Sequence, residues 1–313
     1  MTPAFEPAYL KTYHTGQLGE KVREARRRLT ACCLCPHCCN VNRREGQKGT
    51  CRTGEHAIVA DFDPHFGEEA PLVGKKGSGT IFFSYCNLRC RFCQNYDISH
   101  TGAGRKVTDD QIAFMMLSLQ KEGCHNINLV TPSHVVPQIL QALELAVLQG
   151  LHLPLVYNTG GYDSVETLRL LDGVIDIYMP DFKFWDGDIA ETMGLPHDYP
   201  EKARNAIIEM HRQVGDLAMD ETGIATRGLL LRHLVMPEGL AGTREIMRFI
   251  VRHISARTYV NLMSQYRPCA EAHTIPSIAR AITTEEYDRA LQEAAEEGIL
   301  RFDQRRGRTF ALI

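Results

Sequence analysis

Six apolar runs of β type recur along the chain, at residues 79–85, 126–130, 153–157, 174–179, 228–235 and 258–263, with helix-type segments between them. This alternation constrains the fold more than any other feature. Mostly apolar strands need cover, and helices that carry the chain back to start each next strand make the sheet parallel. The helix signals are specific. Thr108 and Gln111 form a capping-box pair ahead of the stripe Ile112, Met115, Met116 and Leu119. Ile139, Leu140, Leu143, Ala146 and Val147 make the next stripe, stopped by Gly150. Ala206, Ile207, Met210 and Val214 mark a later helix, and Ile246, Phe249 and Ile250 another, with Thr243 as its N-cap. Six strands are too few for a closed eight-stranded barrel. The expected class is α/β, as an open, partial (β/α)6 barrel or a doubly wound sheet.

In either arrangement ligands sit at the carboxyl ends of the strands. The polar residues follow that rule. The strand candidates lead in turn into Cys86-Cys90-Cys93, Thr131-Pro132-Ser133-His134, Asn158-Thr159-Gly160-Gly161 and 180-PDFKFWD-186. The fifth carries Arg232 and His233 before Pro237, and the sixth reaches 264-SQYRP-268.

A formal net charge of -3 gives no support for nucleic-acid binding, which needs a concentrated basic face. The one basic run, 21-KVREARRRLT-30, reads as a solvated helix face. No apolar run reaches the roughly 18 residues of a membrane span, and no signal peptide is evident at 1-MTPAFEPAYL-10. A cytoplasmic location and no membrane partner are therefore expected. In that reducing compartment the clustered cysteines read as metal ligands rather than disulfides, the odd count of 11 also fitting pairing poorly. Cys124 and Cys269 stand alone and read as buried small apolar residues.

Cys86, Cys90 and Cys93 follow the spacing C-x3-C-x2-C directly after an apolar strand. Three close thiolates suit a soft metal site. Structural zinc wants four ligands, and no fourth Cys or His follows promptly, His100 being the nearest candidate. A four-iron cluster on three cysteines leaves one iron open for an exogenous ligand.

The run CNLRCRFC, with aromatic Phe92 before the third cysteine, resembles the signature of the radical S-adenosylmethionine (SAM) enzymes. The wider text resembles a narrower group, the pyruvate formate-lyase activating enzyme-like iron-sulfur proteins. It runs from 32-CCLCPHCCNVNR-43 through 65-HFGEEAPLVGKKGSGTIFFSYCNLRCRFCQN-95 and 155-LVYNTGGY-162 to 178-YMPDFKFWD-186. The resemblance implies a radical SAM partial barrel, with a [4Fe-4S] cluster on Cys86, Cys90 and Cys93 and SAM on its open iron. It implies hydrogen abstraction from a protein or peptide, with a small molecule as the alternative, and an electron donor such as flavodoxin or ferredoxin. A non-catalytic iron-sulfur or zinc module is the reading that needs no SAM.

By the same resemblance, Thr131 to Ser133 stand where the superfamily has a Gly-Gly-Glu-type segment near the SAM amino group, here without Glu. Asn158 and Thr159 resemble an Asp-Thr pair near the SAM carboxylate. Asp181 and Lys183 match an Asp-x-Lys segment, Lys183 pairing with that carboxylate, and Arg232 matches an Arg on the fifth strand that reaches carboxylate or ribose. Gln265 and Tyr266 sit where the last strand closes over the cofactor. Each has a plainer alternative: a strand-end Lys or Arg as surface charge, Asn-Thr-Gly-Gly as a turn, and His125, His134 and His233 as hydrogen-bonded structural histidines.

The first cysteine block, 31-ACCLCPHCCN-40, contributes Cys32, Cys35 and Cys39 in the spacing that resembles the family, and Cys51 follows in 46-GQKGTCR-52. Four thiolates bind a structural zinc or a second [4Fe-4S] cluster. Cys33 or Cys38 can replace a neighbour in the set. The block precedes the triad, whereas the extra cysteines of some glycyl-radical activating enzymes follow it. The expected organisation is an N-terminal helix and Cys-rich metal module over residues 1–60, the partial barrel over 61–270 and a helical tail over 271–313. The stretch 61–79, rich in Gly and Pro, reads as loop. Its Glu68 and Glu69 read as loop carboxylates or as residues reaching substrate or SAM. Thr283 and Glu286 open an amphipathic tail helix.

Overall fold

The computed structural model describes residues 5–303. The first four residues of the N-terminal module and the last ten of the tail lie outside it. The chain opens with helices α1 (Ala8–His14) and α2 (Gln17–Arg27), then the Cys-rich loops, strand β1 (Ile58–His65) and the short helix α3 (Ala70–Val73). Strand β2 (Ser78–Phe83), strand β3 (Arg105–Lys106) and helix α4 (Asp109–Glu122) follow. Next come β4 (Ile127–Val130), α5 (Val136–Leu148), β5 (Leu155–Thr159), α6 (Val165–Leu170) and β6 (Ile177–Pro180). The second half holds α7 (Gly187–Thr192), α8 (Tyr199–Val214), β7 (Ala218–Met219), β8 (Ala225–Leu234), α9 (Thr243–His253), β9 (Tyr259–Met263), α10 (Thr284–Glu296) and β10 (Arg301–Phe302).

All six expected strands form and pair in parallel, in the spatial order β2-β4-β5-β6-β8-β9. The order never reverses, so there is no switch point and the sheet is not doubly wound. Right-handed crossovers then bring the helices to one face. The ends, β3 and β10, do not pair with each other. The fold is an open, partial (β/α)6 barrel.

Alternation along the strands divides the interior into two cores. Leu155, Tyr157, Tyr178, Leu229, Leu231 and Val260 pack with the stripes of α4, α5, α8 and α9. Their neighbours Val156, Ile177, Leu230 and Tyr259 form a separate cluster on the opposite, inner face, joined by Leu72 from α3. Side chains one residue apart on a strand point to opposite faces, so a period of two produces both cores.

Several expectations are corrected. The stretch read as loop over 61–79 contains most of β1 and all of α3. β1 pairs antiparallel with β2, and among the described residues nothing pairs on its other side beyond Val59. Pro64 is tolerated there because a proline on an edge strand withholds no ladder hydrogen bond. The N-cap of α9 is Gly242, not Thr243; the Thr243 hydroxyl instead meets His233 Nε2 at 3.0 Å. The basic run is not wholly solvated: Lys21 Nζ donates to the Leu170 carbonyl at 3.0 Å and Arg26 pairs with Asp109 at the start of α4. Cys124 is buried as expected, whereas Cys269 is only half-buried. The capping boxes at Thr108–Gln111 and Thr283–Glu286 are both present.

Candidate active site

The inner face turns from apolar to polar toward the carboxyl ends of the strands. Asn158 lies two residues past Val156, Asp181 two past Met179, Arg232 two past Leu230 and Asn261 two past Tyr259. Each therefore shares a face with an inner-core residue. Asp181 and Arg232 also face each other across a β-bridge.

These side chains form one charged network. Arg232 Nε donates to Asp181 Oδ1 at 2.7 Å, and Lys183 Nζ donates to Asp181 Oδ2 at 2.5 Å. Arg232 Nη2 donates to Asn158 Oδ1 at 2.8 Å, while its Nη1 lies 3.8 Å from Glu68 and 3.9 Å from Glu69. Asn261 Nδ2 donates to Glu69 at 2.8 Å. Burial opposes charge on Asp181, yet Arg232 and Lys183 outweigh it and hold the carboxyl below its usual range. Burial likewise opposes the charge on Arg232 and Lys183, but the facing carboxylates keep both raised. Glu69 goes the other way: burial raises it more than Arg232 lowers it.

Glu68 and Glu69 are thus not solvated loop carboxylates. Segment 66–73 carries Leu72 into the inner core and places both acids against Arg232. Neither periodicity nor spacing reveals this, because the segment is too short to show either.

The cysteine loop follows β2. Cys86 Sγ accepts the Leu88 amide at 3.3 Å, and the Cys93 amide closes a turn onto the Cys90 carbonyl. Asn87 Nδ2 donates to the Tyr162 carbonyl at 2.6 Å, tying the loop to the end of β5. Phe92 is buried edge-on against Phe184 and Tyr266, so it anchors the loop from below. Cys93 Sγ meets Ser99 Oγ at 3.1 Å, and Ser99 in turn meets His100 Nδ1 at 2.8 Å.

All three thiols are free. Burial pushes Cys90 up to about 12 against the pull of Lys183, and it raises Cys86 as well. Such thiols ionise here only beside added positive charge, which an iron-sulfur core provides. Among the described residues no three His, Cys, Asp or Glu side chains are gathered to hold a single metal ion. Three soft donors on one loop fit a polynuclear group on chemical grounds.

The remaining expected residues are divided. Asn158 joins the charged network, but Thr159 turns away: its hydroxyl donates to Asp163 Oδ2 at 2.6 Å and meets Ser133 Oγ at 3.0 Å. Tyr157 completes this buried group by donating to Asp163 Oδ1. The parity of Tyr157 and Thr159 opposes that of Asn158, a signal that could have separated them. Thr131 holds a left-handed backbone at φ 61°, a conformation that persists only where its surroundings enforce it. Gln265 is exposed, and Tyr266 is buried with its hydroxyl on the Ile278 carbonyl. His233 bonds the Phe182 carbonyl and Thr243, and His134 Nε2 the Ser84 carbonyl, both structural positions.

A sheet opened at its edges, a free three-cysteine loop after its first parallel strand and charged residues at the strand ends are the parts of one enzyme class. The sequence profile of the radical SAM superfamily matches residues 80–224, from the first of these strands to beyond Lys183. The chain belongs to the radical SAM superfamily and is a radical SAM enzyme. Over 284 residues it is 34% identical to an uncharacterized protein of Methanocaldococcus jannaschii, covering 88% of this chain and 78% of that one. Among solved structures, HydG, a maturase of the [FeFe]-hydrogenase, matches with a TM-score of 0.46 and 15% identity, over 69% of this chain and 47% of HydG. Membership implies a [4Fe-4S] cluster and SAM. No helix among the described residues is long and apolar enough to cross a membrane.

Proposed function

We propose that the enzyme abstracts hydrogen from a protein or peptide, in the manner of an activating enzyme, in the cytoplasm. Cys86, Cys90 and Cys93 would hold the cluster through their three free thiols. With SAM, that cluster would supply one-electron reductive cleavage of the sulfonium's sulfur–C5′ bond, the chemistry that precedes hydrogen abstraction. The electron comes from a small donor such as flavodoxin or ferredoxin.

The chain's own residues bind, orient and exclude water. Lys183 has three donors, of which Asp181 takes one; another is free for the SAM carboxylate. Arg232 serves as the strut that fixes Asp181 and Asn158, since its remaining nitrogen faces Glu68 and Glu69. Backbone groups at Thr131 to Ser133 take the SAM amino group, the hydroxyls of Ser133 and Thr159 being engaged with each other.

The observation that supports a polypeptide substrate is the open sheet. Its end strands, β3 and β10, do not pair with each other, so the barrel wall is not closed around the strand ends. Anaerobic protein loaded with iron and sulfide, given SAM and dithionite, is expected to release 5′-deoxyadenosine. Cell extract separated by size then decides the substrate: stimulation by the macromolecular fraction supports the proposal, and stimulation by the metabolite fraction alone replaces it with the small-molecule reading.

A further inference from the structure

The buried group around Asp163 adjoins the turn assigned above to the SAM amino group, yet the reaction as derived makes no use of it. An acid in this place, at the start of a helix, ordinarily serves as its cap. Here Ser164 is the N-cap of α6, its side chain accepting the Thr167 amide. Asp163 turns inward instead and is 4% exposed. Its Oδ1 accepts from Tyr157 at 3.0 Å and its Oδ2 from Thr159 at 2.6 Å. Burial raises this carboxyl, while the hydroxyls of Thr159, Ser133 and Tyr157 hold it down; among the described residues no cation helps them. A buried carboxylate without a cation costs stability that a well-packed apolar side chain would not. The fold alone gives no reason to keep it.

The group has a direction. An ionised carboxylate only accepts, so Thr159 spends its one proton on Asp163. In the 3.0 Å contact between Ser133 and Thr159 it is then Ser133 that donates. The Thr159 oxygen also accepts the Gly161 amide at 3.3 Å. Asp163 thereby commits the Ser133 hydroxyl and ties the turn after β4 to the end of β5.

That turn is strained. Thr131 is β-branched and holds φ 61°, an outlier for such a residue. Its amide donates to the Asn158 carbonyl at 2.8 Å, so the turn hangs from the residue whose side chain meets Arg232. At its far end His134 Nε2 meets the Ser84 carbonyl at 3.0 Å, and Arg43 Nη1 donates to the His134 carbonyl at 2.8 Å. Between these holds, Ser133 is fixed through the group on Asp163.

We propose that Asp163 is a positioning residue for SAM: through Ser133 it locks the strained turn at Thr131, whose backbone takes the SAM amino group. This rests on the placement of that amino group at Thr131 to Ser133. With the turn locked, its ordering is complete before SAM arrives and does not subtract from binding. A turn free to relax binds SAM only in proportion to the fraction that stays competent.

Two measurements on the full, cluster-loaded chain test this: amide hydrogen exchange before SAM is added, and equilibrium binding of SAM. Asp163→Asn keeps the shape but sets a donor where the hydroxyls need an acceptor. It is expected to speed exchange at the Thr131 amide roughly 10-fold and to weaken SAM binding about 5- to 150-fold. Glycine adopts positive φ without strain. Asp163→Asn should therefore weaken SAM less in a Thr131→Gly background, a rescue that general loss of packing does not give. Ser133→Ala removes one hydroxyl and is expected to move both readouts the same way, so the test stands even where Asp163→Asn fails to fold. Unchanged exchange, or equal weakening in both backgrounds, overturns the positioning role and leaves the SAM site standing. Faster exchange with unchanged SAM affinity overturns the placement of the amino group at this turn, and the role with it.

Discussion

Asp181 stands between two cations that both follow it in the chain: Lys183, two residues on, at 2.5 Å, and Arg232, on β8, at 2.7 Å. Each carboxylate oxygen serves one partner, so the pair of contacts fixes the rotamer of Asp181 and the reach of Lys183. Removing Asp181 leaves two buried cations facing each other. Asp181→Ala is expected to lower unfolding stability by about 3–5 kcal/mol, as for other half-broken buried pairs. Combined with Arg232→Ala, the loss should fall short of the sum by roughly 0.5–3 kcal/mol. Urea titration of the four proteins measures it, and strict additivity would show that the contact carries no coupling.

Lys183 bears on ligand rather than fold. If it holds the SAM carboxylate, Lys183→Ala removes a charged hydrogen bond of about 1.5–3 kcal/mol. SAM affinity should drop roughly 10- to 150-fold, read by equilibrium binding to the cluster-loaded protein. Unchanged affinity would remove Lys183 from the SAM site.

Gly161 has φ +82°, and a Cβ there would stand 2.4 Å from the Asp181 carbonyl oxygen. Gly161→Ala combines a left-handed backbone with a collision against the strand end that carries the charged network. Its cost is expected to exceed about 1 kcal/mol and to weaken SAM binding as well. Thermal unfolding and SAM binding should both respond; a change in neither would mean that the turn yields freely.

Asp176 gives stability an unusual pH dependence. It accepts the Ala8 amide at 2.8 Å and the Leu155 amide at 3.0 Å, pinning the N-terminal helix to the sheet. Burial nonetheless pushes its carboxyl up to about 7. A folded acid with a raised value holds its proton where the unfolded chain has released it, so stability falls as pH rises from about 4 to about 7. Asp181 has the opposite sign: its contribution is present above the ordinary carboxylate range and is lost only in stronger acid. Denaturation of the metal-free protein between pH 5 and pH 8 should show the decline, and Asp176→Asn should flatten it.

Much of the barrel could be read from the chain. The six apolar runs and their intervening stripes became parallel strands and covering helices, because periods of two and 3.6 are written in neighbouring residues. The Cys86-Cys90-Cys93 loop was equally legible, since its three cysteines lie within eight residues and its strand precedes it directly. The capping boxes at Thr108 and Thr283 are local in the same way.

Tertiary structure alone decided what depends on distant encounters. It settled that the strand order never reverses, and that β1 pairs where Gly and Pro suggested loop. It raised Glu68 and Glu69 from a short connector into the interior, and drew Asn158, Asp181, Arg232 and Asn261 into one network across four strands. It also paired Cys33 with Cys38 and set Arg43 beside Cys32. The physical reason is common to all of these. A residue's own neighbours set its backbone and its face, but which charge it meets depends on how the whole sheet closes.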